Sequence, residues 1–419
     1  MARKNQSREM THTNYVMLRS AELLSKTDFR EFYIDKLEQS LLENKKMIKS
    51  RVLKDSAVDN SEYKKGRIKI SVANIKKLKD KIFNVINKLL FVHNASDVEL
   101  SLADIEKELE RRRPRSEYGS RDEEDTPEIL SGVFEGKTLG SPIAIIVRNR
   151  NQKSGDYDYL KDIYRPSHAD FSWDAKYGFR DHHGGGRSSG RETLCRVAAG
   201  AVAKKFLALH DIVIRAWTSS IAGIDLPLPV ERNFNFNDID QNIYRVPSLS
   251  YVQIIKTKIE EIKKEGDSAG GVISCMITGV KAGLGEPVFD KLDARLAAAM
   301  LSIGACKGIE FGSGFACASM KGSENNDLPC ESGKFASNNS GGITGGISTG
   351  QDIFFKAAFK PTPSIGKMQK AFDREGKIRE IEIKGQHDVC IVPRAVAVIK
   401  AMAAIALADF LLLSRSSKI

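Results

Sequence analysis

Residues 176–193 read KYGFRDHHGGGRSSGRET. Three successive glycines, Gly184 to Gly186, let the backbone approach a ligand closely, and Ser188 and Ser189 are side chains that cap the orphan N–H groups of a helix start. A strong helical pattern follows over 191–209. A glycine loop running into a helix N-terminus is a cradle for phosphate or carboxylate. Its spacing is neither that of a P-loop nor that of a GxGxxG fingerprint. An ordinary capped turn is the plainer alternative. Arg180, Arg187, Arg191 and Arg196 all fall around this one turn, which favours the anion.

Working outward, charge divides the chain. It holds 65 Lys+Arg against 54 Asp+Glu, a formal net charge of +11 over 419 residues. Residues 1–95 hold 21 against 11, and residues 96–419 hold 44 against 43. Only Gly66 of the 33 glycines precedes residue 96, and the first proline is Pro114. Two compositions meet there, so a basic segment, 1–95, is expected to precede a second domain, 96–419. In the segment, apolar residues recur at helical spacing from Phe29 to Val52 and from Ile75 to Leu89, predicting lysine-rich helices over 29–53 and 74–92. Such helices lie on a membrane, on nucleic acid or on another helix. A small bundle with a solvated lysine face is the plainer reading. No nucleic-acid motif spacing is present, so nucleic acid is not an expected partner, although the basic charge leaves it open.

Beyond residue 96, β-branched runs, glycine turns and helical stretches alternate. Strands are expected at 129–130, 143–147 and 272–280, and helices at 191–209, 290–303 and 395–413. The class is α/β or α+β with large sheets. The last helix is apolar enough to suggest a membrane, but Lys400 and Asp409 interrupt it. A mid-span charge costs about 2.5–3.5 kcal/mol, so a buried core helix is expected and a membrane is not. The six cysteines have neither CxxC nor zinc-ligand spacing, and the N-terminus lacks the layout of a signal peptide. A reducing, cytoplasmic setting without a metal site is the expectation.

Further polar clusters lie at 341–350 (GGITGGISTG), 359–364 (FKPTPS), 385–390 (GQHDVC) and 111–114 (RRRP). His168 sits between a proline turn and an acid, and His387 abuts Asp388. A lone histidine is usually structural. Several, set among arginines and glycine loops, point to an enzyme acting on an anionic substrate.

These runs, together with EILSGVFEGKTLGSPIAIIVRN, RPSHADF, KKEGDSAGG, AGLGEPVFDKLDA and SIGACKGIEFGSGF, resemble the chorismate synthase family from about residue 97 onward. The resemblance implies a β-α-β sandwich of large sheets and helices, assembled as a homotetramer. It implies a lyase of the shikimate pathway, in aromatic amino-acid biosynthesis, that eliminates phosphate and a ring proton from 5-enolpyruvylshikimate 3-phosphate. The implied cofactor is reduced FMN, and NADPH serves some members as reductant. By family position, Arg112, Arg191 and Arg394 are substrate-facing, with Arg112 alternatively at the nicotinamide site. His168 corresponds to the flavin-side histidine and Asp388 to a carboxylate in the proton relay. Flavin-binding positions correspond to Arg187, Ser188, Ser189, Gly304, Ala305, Gly345, Lys360, Pro361, Thr362, Pro363, Ser364 and Gln386.

Departures accompany the resemblance. The family opens with a strand carrying a GESHG-type motif and a phosphate-side histidine; upstream of the match this chain has only His12 and His93, in other surroundings. Gln386 stands where the family prefers arginine, Gly304 replaces asparagine, Pro363 replaces serine and Lys400 replaces glutamate. An active FMN-dependent lyase is the leading reading. A flavin-binding relative impaired by the missing histidine is the alternative. A third is that residues 1–95 come from a misplaced gene start or joined reading frames.

Overall fold

The computed structural model describes residues 96–119, 125–149, 154–182, 188–227, 235–331, 334–383 and 387–415. The expected helices at 29–53 and 74–92 lie outside the described residues.

At the centre is a five-stranded antiparallel sheet. Its strands are β1 (Val213–Ile221), β2 (Ile224–Asp225), β3 (Gly271–Thr278), β4 (Cys306–Phe311) and β5 (Ile353–Phe359), in the spatial order β4-β5-β3-β1-β2. Registered rows cross it: Ile353 opposes Ile277, which opposes Ile214. All three are buried, and in β5 Ile353, Phe355, Ala357 and Phe359 alternate with less buried neighbours. Period-2 burial puts one face of this sheet against a helical layer.

That layer contains α1 (Leu102–Arg112), α3 (Thr193–Ala208), α5 (Leu292–Leu301) and α6 (Val392–Ser414). Between them in sequence lie α2 (Asp170–Tyr177) and α4 (Val252–Lys264). α6 packs on α3, α1 and α5 and against β1 and β3. Among the described residues it is the one helix long and apolar enough to cross a membrane, and 67% of its most apolar window is buried in this fold. It reaches such burial through small residues. A Cβ on Gly200 of α3 would stand 2.3 Å from the Ala401 Cβ of α6, so the two helices cross at van der Waals contact of backbone and methyl. Asp409 reaches Arg295 at 2.9 Å, which compensates one of the two charges, Lys400 and Asp409, that interrupt the apolar run of the helix.

Smaller sheets surround this core. Pro127–Ser131 pairs with Ala144–Val147, Gln369–Asp373 lies between Ile163–Tyr164 and Ile378–Ile381, and a hairpin joins Ile343–Thr344 to Ile347–Ser348. The mixed α/β class agrees with the sequence, and the expected helices at 290–303 and 395–413 occur as α5 and α6. The start of the expected helix at 191 is a 3-10 turn, Gly190–Glu192, before α3 begins. The expected sandwich of large sheets appears, among the described residues, as one five-stranded sheet with several small ones.

Candidate active site

The loop after β5 is the hub of the polar clusters. The Lys360 backbone N–H donates to the Ala305 carbonyl at 3.0 Å, and its ammonium donates to the Ser167 carbonyl at 2.9 Å. Thr362 Oγ1 donates to the Asp388 carbonyl, and the Thr362 carbonyl accepts from Ser268 Oγ, each at 2.8 Å. Tight packing holds this loop: a Cβ on Gly270 would meet the Phe359 carbonyl at 2.3 Å. Segments far apart in sequence are thereby tied to residues 360–362. Pro361, Pro363 and Ser364 complete the loop.

On one side lies His168. Its Nδ1 is 2.8 Å from Asp170 Oδ1, and Asp170 also takes Arg165 through both oxygens, at 2.7 and 2.9 Å, and Arg180 at 3.3 Å. A carboxylate only accepts, so the shorter Asp170 contact assigns the proton to Nδ1, with Arg165 Nη2 3.0 Å from the same nitrogen and Nε2 facing away from Asp170. Burial works to raise the Asp170 carboxyl, but hydrogen bonds and charge from Arg165 and His168 outweigh it and hold the group well below the usual carboxylate range. Asp170 is also the first residue of α2, where the helix dipole favours a negative charge. Ser167, at φ +56, is in the left-handed region that side chains rarely adopt, and it turns the backbone so that its carbonyl meets Lys360.

On the other side are the arginines. Arg394, on the first turn of α6, pairs with Asp388 in a short charge-assisted hydrogen bond, and its Nε donates to the Arg112 carbonyl at 3.1 Å. Arg112 ends α1 and is 1% exposed. Its guanidinium meets Asp125 at 3.1 Å, Thr193 Oγ1 at 3.0 Å and the Gly190 carbonyl at 2.9 Å. Arg191 approaches the other oxygen of Asp125 at 3.0 Å as an ion pair. Ser189 caps the same turn, its Oγ accepting from the Arg191 backbone N–H at 3.2 Å, and Ser188 beside it is exposed. A fully buried carboxylate thus binds the ends of two loops through their arginines.

His168, Ala305, Lys360, Thr362, Asp388, Arg394, Arg112 and Arg191 therefore form one connected group. Gly304 adjoins it, with open space where a side chain would begin. The hairpin carrying Gly345 packs elsewhere among the described residues: Leu292 donates to the Gly346 carbonyl at 2.9 Å. Gly345 itself, at φ +62, also faces open space. Arg187 and Gln386 lie outside the described residues. Two arginines that crowd the glycine turn in sequence are occupied structurally. Arg180 caps the carbonyls of Leu160 and Ile163 at 2.5 and 3.0 Å, and Arg196 holds Glu192 and Ser302. Asp125 is the organiser that sequence reasoning missed, whereas Asp170 is legible beside His168 as the acid that sets its charge and orientation. An acid two positions after His168 was visible; Asp125 had no local signal.

A family model for chorismate synthase matches residues 92–412. The chorismate synthase of Syntrophobacter fumaroxidans is 50% identical over 316 residues, spanning 75% of this chain and 88% of the relative. That of Christiangramia forsetii is 48% identical over 324 residues, spanning 77% and 91%. A crystal structure of a chorismate synthase superposes with a TM-score of 0.59 at 35% identity, covering 76% of this chain and 85% of the other. None of these likenesses favours an inactive relative. The chain belongs to the chorismate synthase family.

Proposed function

We propose that this protein converts 5-enolpyruvylshikimate 3-phosphate into chorismate and inorganic phosphate by anti-1,4-elimination, with reduced FMN as cofactor. The observation that supports it most is the unbroken run of contacts from His168 through Lys360 and Thr362 to Asp388, Arg394 and Arg112. A substrate with one phosphate and two carboxylates needs several fixed cations. Arg191 and Arg394 keep side-chain exposures of 17% and 12% and are the ones placed to meet it. Arg112, buried behind them, sets their positions through Asp125 and its own carbonyl.

The donor set around residues 304, 305 and 360–364 fits a phosphorylated flavin: a cation in Lys360, hydroxyls, and open space at Gly304; Gly345 joins it by family position alone. Arg187, Ser188, Ser189 and Gln386 join this group by family position. Reduced flavin held there would supply electron density to the substrate ring during loss of phosphate. His168 works beside it with Nδ1 fixed by Asp170, so that Nε2 is the position that exchanges a proton. Asp388, oriented by Arg394, accepts the ring proton onto its carboxylate. Burial pushes the Lys360 ammonium down, which Lys307 reinforces, and an arriving anion would offset both.

The finer reading includes a homotetramer, to which the exposed Phe289 and Phe315 offer apolar surface. It also includes a cytoplasmic setting, NADPH as a flavin reductant, and residues 1–95 as a unit separate from 96–419. The purified chain, mixed anaerobically with substrate and chemically reduced FMN, should form chorismate and phosphate in equal amounts. Absence of both products overturns the assignment. Anaerobic NADPH oxidation by the same mixture with oxidised FMN reports on self-reduction.

A further inference from the structure

Helix α1 ends in two neighbouring arginines that serve different places. Arg112 meets Asp125, whereas Arg111 pairs with Glu108 and, at 2.6 Å, with Asp240 beside a cavity of about 330 Å³. The cavity has an apolar side, including Ile214, Phe236 and Ile239, and a cationic side of Arg111, Lys204, Arg215 and Lys400. It shares no lining residue with the His168–Asp388 group.

The carboxylates nearby are already engaged. Glu108, 8% exposed, takes Lys204 at 2.5 Å as well as Arg111. Asp240 takes Arg111 and, at 3.2 Å, Arg245. Arg215 lies over the Phe236 ring, 5.2 Å from its centroid. Among the described residues none forms a hydrogen bond or ion pair with Lys400. Arg111, Lys204, Arg245 and Lys400 thus share two acids, while Arg215 has the Asp352 carboxylate as its neighbour. Burial, and then the charge of Lys204, pushes the Lys400 ammonium down to about 8. Buried cations in excess are costly unless an anion joins them.

We propose that this cavity is a binding site for a small oxyanion with an apolar body, an aryl or alkyl carboxylate or phosphate. Its charged head sits at Lys400 and Arg215, and its body lies along Ile214 and Phe236. The volume suits a molecule of about ten heavy atoms, near the lower limit of ligand pockets.

Titration calorimetry on the full chain at pH 7, with benzoate, phenyl phosphate and neutral benzamide as probes, tests this. One of the two anions should bind saturably and benzamide should not; which anion binds identifies the head group. Lys400→Met removes an unpartnered charge without vacating the space, and should weaken the anion at least about tenfold, the loss of one charge-assisted hydrogen bond. Arg215→Gln should weaken it too. Arg394→Met should leave this binding in place, which separates it from anions held in the active site. No saturable anion binding, benzamide binding as tightly as benzoate, or undiminished binding in both Lys400→Met and Arg215→Gln would overturn the proposal.

Discussion

Arg112 and Asp125 form an ion pair of 3.1 Å with side-chain exposures of 1% and 0%. Such a pair is far from water, so its partners are costly to separate. Asp125 also bridges Arg112 and Arg191, meeting each through a different oxygen. Two jobs therefore fall on one carboxylate: neutralising a buried guanidinium and fixing the arginine proposed to meet substrate.

Asp125→Asn keeps the shape and removes the charge. Breaking a buried pair by losing one partner costs about 3–5 kcal/mol, so the melting temperature should fall sharply. In the fraction that stays folded, KM for substrate should rise while flavin affinity is unchanged, because among the described residues Asp125 pairs with Arg112 and Arg191 and with none of the proposed flavin positions. A melting temperature equal to that of the unmodified chain would show that Arg112 finds compensation elsewhere.

His168 and Asp170 make a second pair with a different expected signature. The Asp170 carboxyl is held low in the folded state, so its contribution to stability is present above the ordinary carboxylate pKa near 4 and is lost as pH falls below it. Asp170→Asn should flatten that acid limb and lower stability even at neutral pH, since Arg165 and Arg180 lose their shared anion. His168→Ala should lower turnover about 10²–10⁴-fold, the range of a lost general acid or base, with the melting temperature near that of the unmodified chain. If His168→Ala instead melted early and its folded molecules turned over normally, the histidine would be a structural member of the Asp170 cluster.

The contrast between these residues shows what the sequence discloses. α6 and α3 are legible because apolar residues run along them, and the loops 359–364 and 385–390 because glycine, proline and polar residues concentrate there. α1 carried a readable signal that was passed over: Ser101 and Asp104 form a capping box at its start, with Asp104 N–H to Ser101 Oγ at 3.3 Å and Ser101 N–H to Asp104 Oδ2 at 2.9 Å. β1, with Arg215 among its apolar residues and both faces partly covered, does not alternate cleanly and has no such signal. Asp125 was illegible for a different reason. It is one acid in the run EED, and only the fold brings Arg112 and Arg191 to it. Crowding along the chain also misled, because Arg180 and Arg196 stand close to the glycine turn in sequence but spend their donors on carbonyls and acids behind it.

The α3–α6 crossing gives a stability prediction that is independent of chemistry. A methyl at Gly200 would lie 2.3 Å from the Ala401 Cβ and 2.5 Å from its Cα, and neither atom belongs to a flexible chain end. Gly200→Ala should therefore destabilise by about 1–3 kcal/mol through overpacking, despite the better helix propensity of alanine, which alone would add up to about 1 kcal/mol of stability. Gly200→Ala combined with Ala401→Gly should recover only part of the loss, because the residue 401 Cα, 2.5 Å from the new methyl, remains. Equal or raised stability in Gly200→Ala would mean that the helices separate more readily than their packing implies. Denaturant unfolding monitored by far-ultraviolet circular dichroism reads the difference.

Lys400 yields the last prediction, on the alkaline side. Its ammonium is held near 8 in the folded protein against 10.5 for the free side chain, because burial and the neighbouring Lys204 and Arg111 outweigh the attraction of Glu108 and Asp240. Between those values the unfolded chain binds more protons at this site than the folded one, so stability should rise with pH across that interval rather than fall. The gain available is about 3 kcal/mol, the free energy of a shift of this size. Other lysines and tyrosines titrate in the same range, so the measurement is a difference between two proteins. Lys400→Met should be more stable than the unmodified chain at pH 7, and the gap should close as pH approaches 10.5. A gap that stays constant with pH would place the effect in packing of the methionine side chain, and a gap of opposite sign would mean that the ammonium is compensated in the folded state.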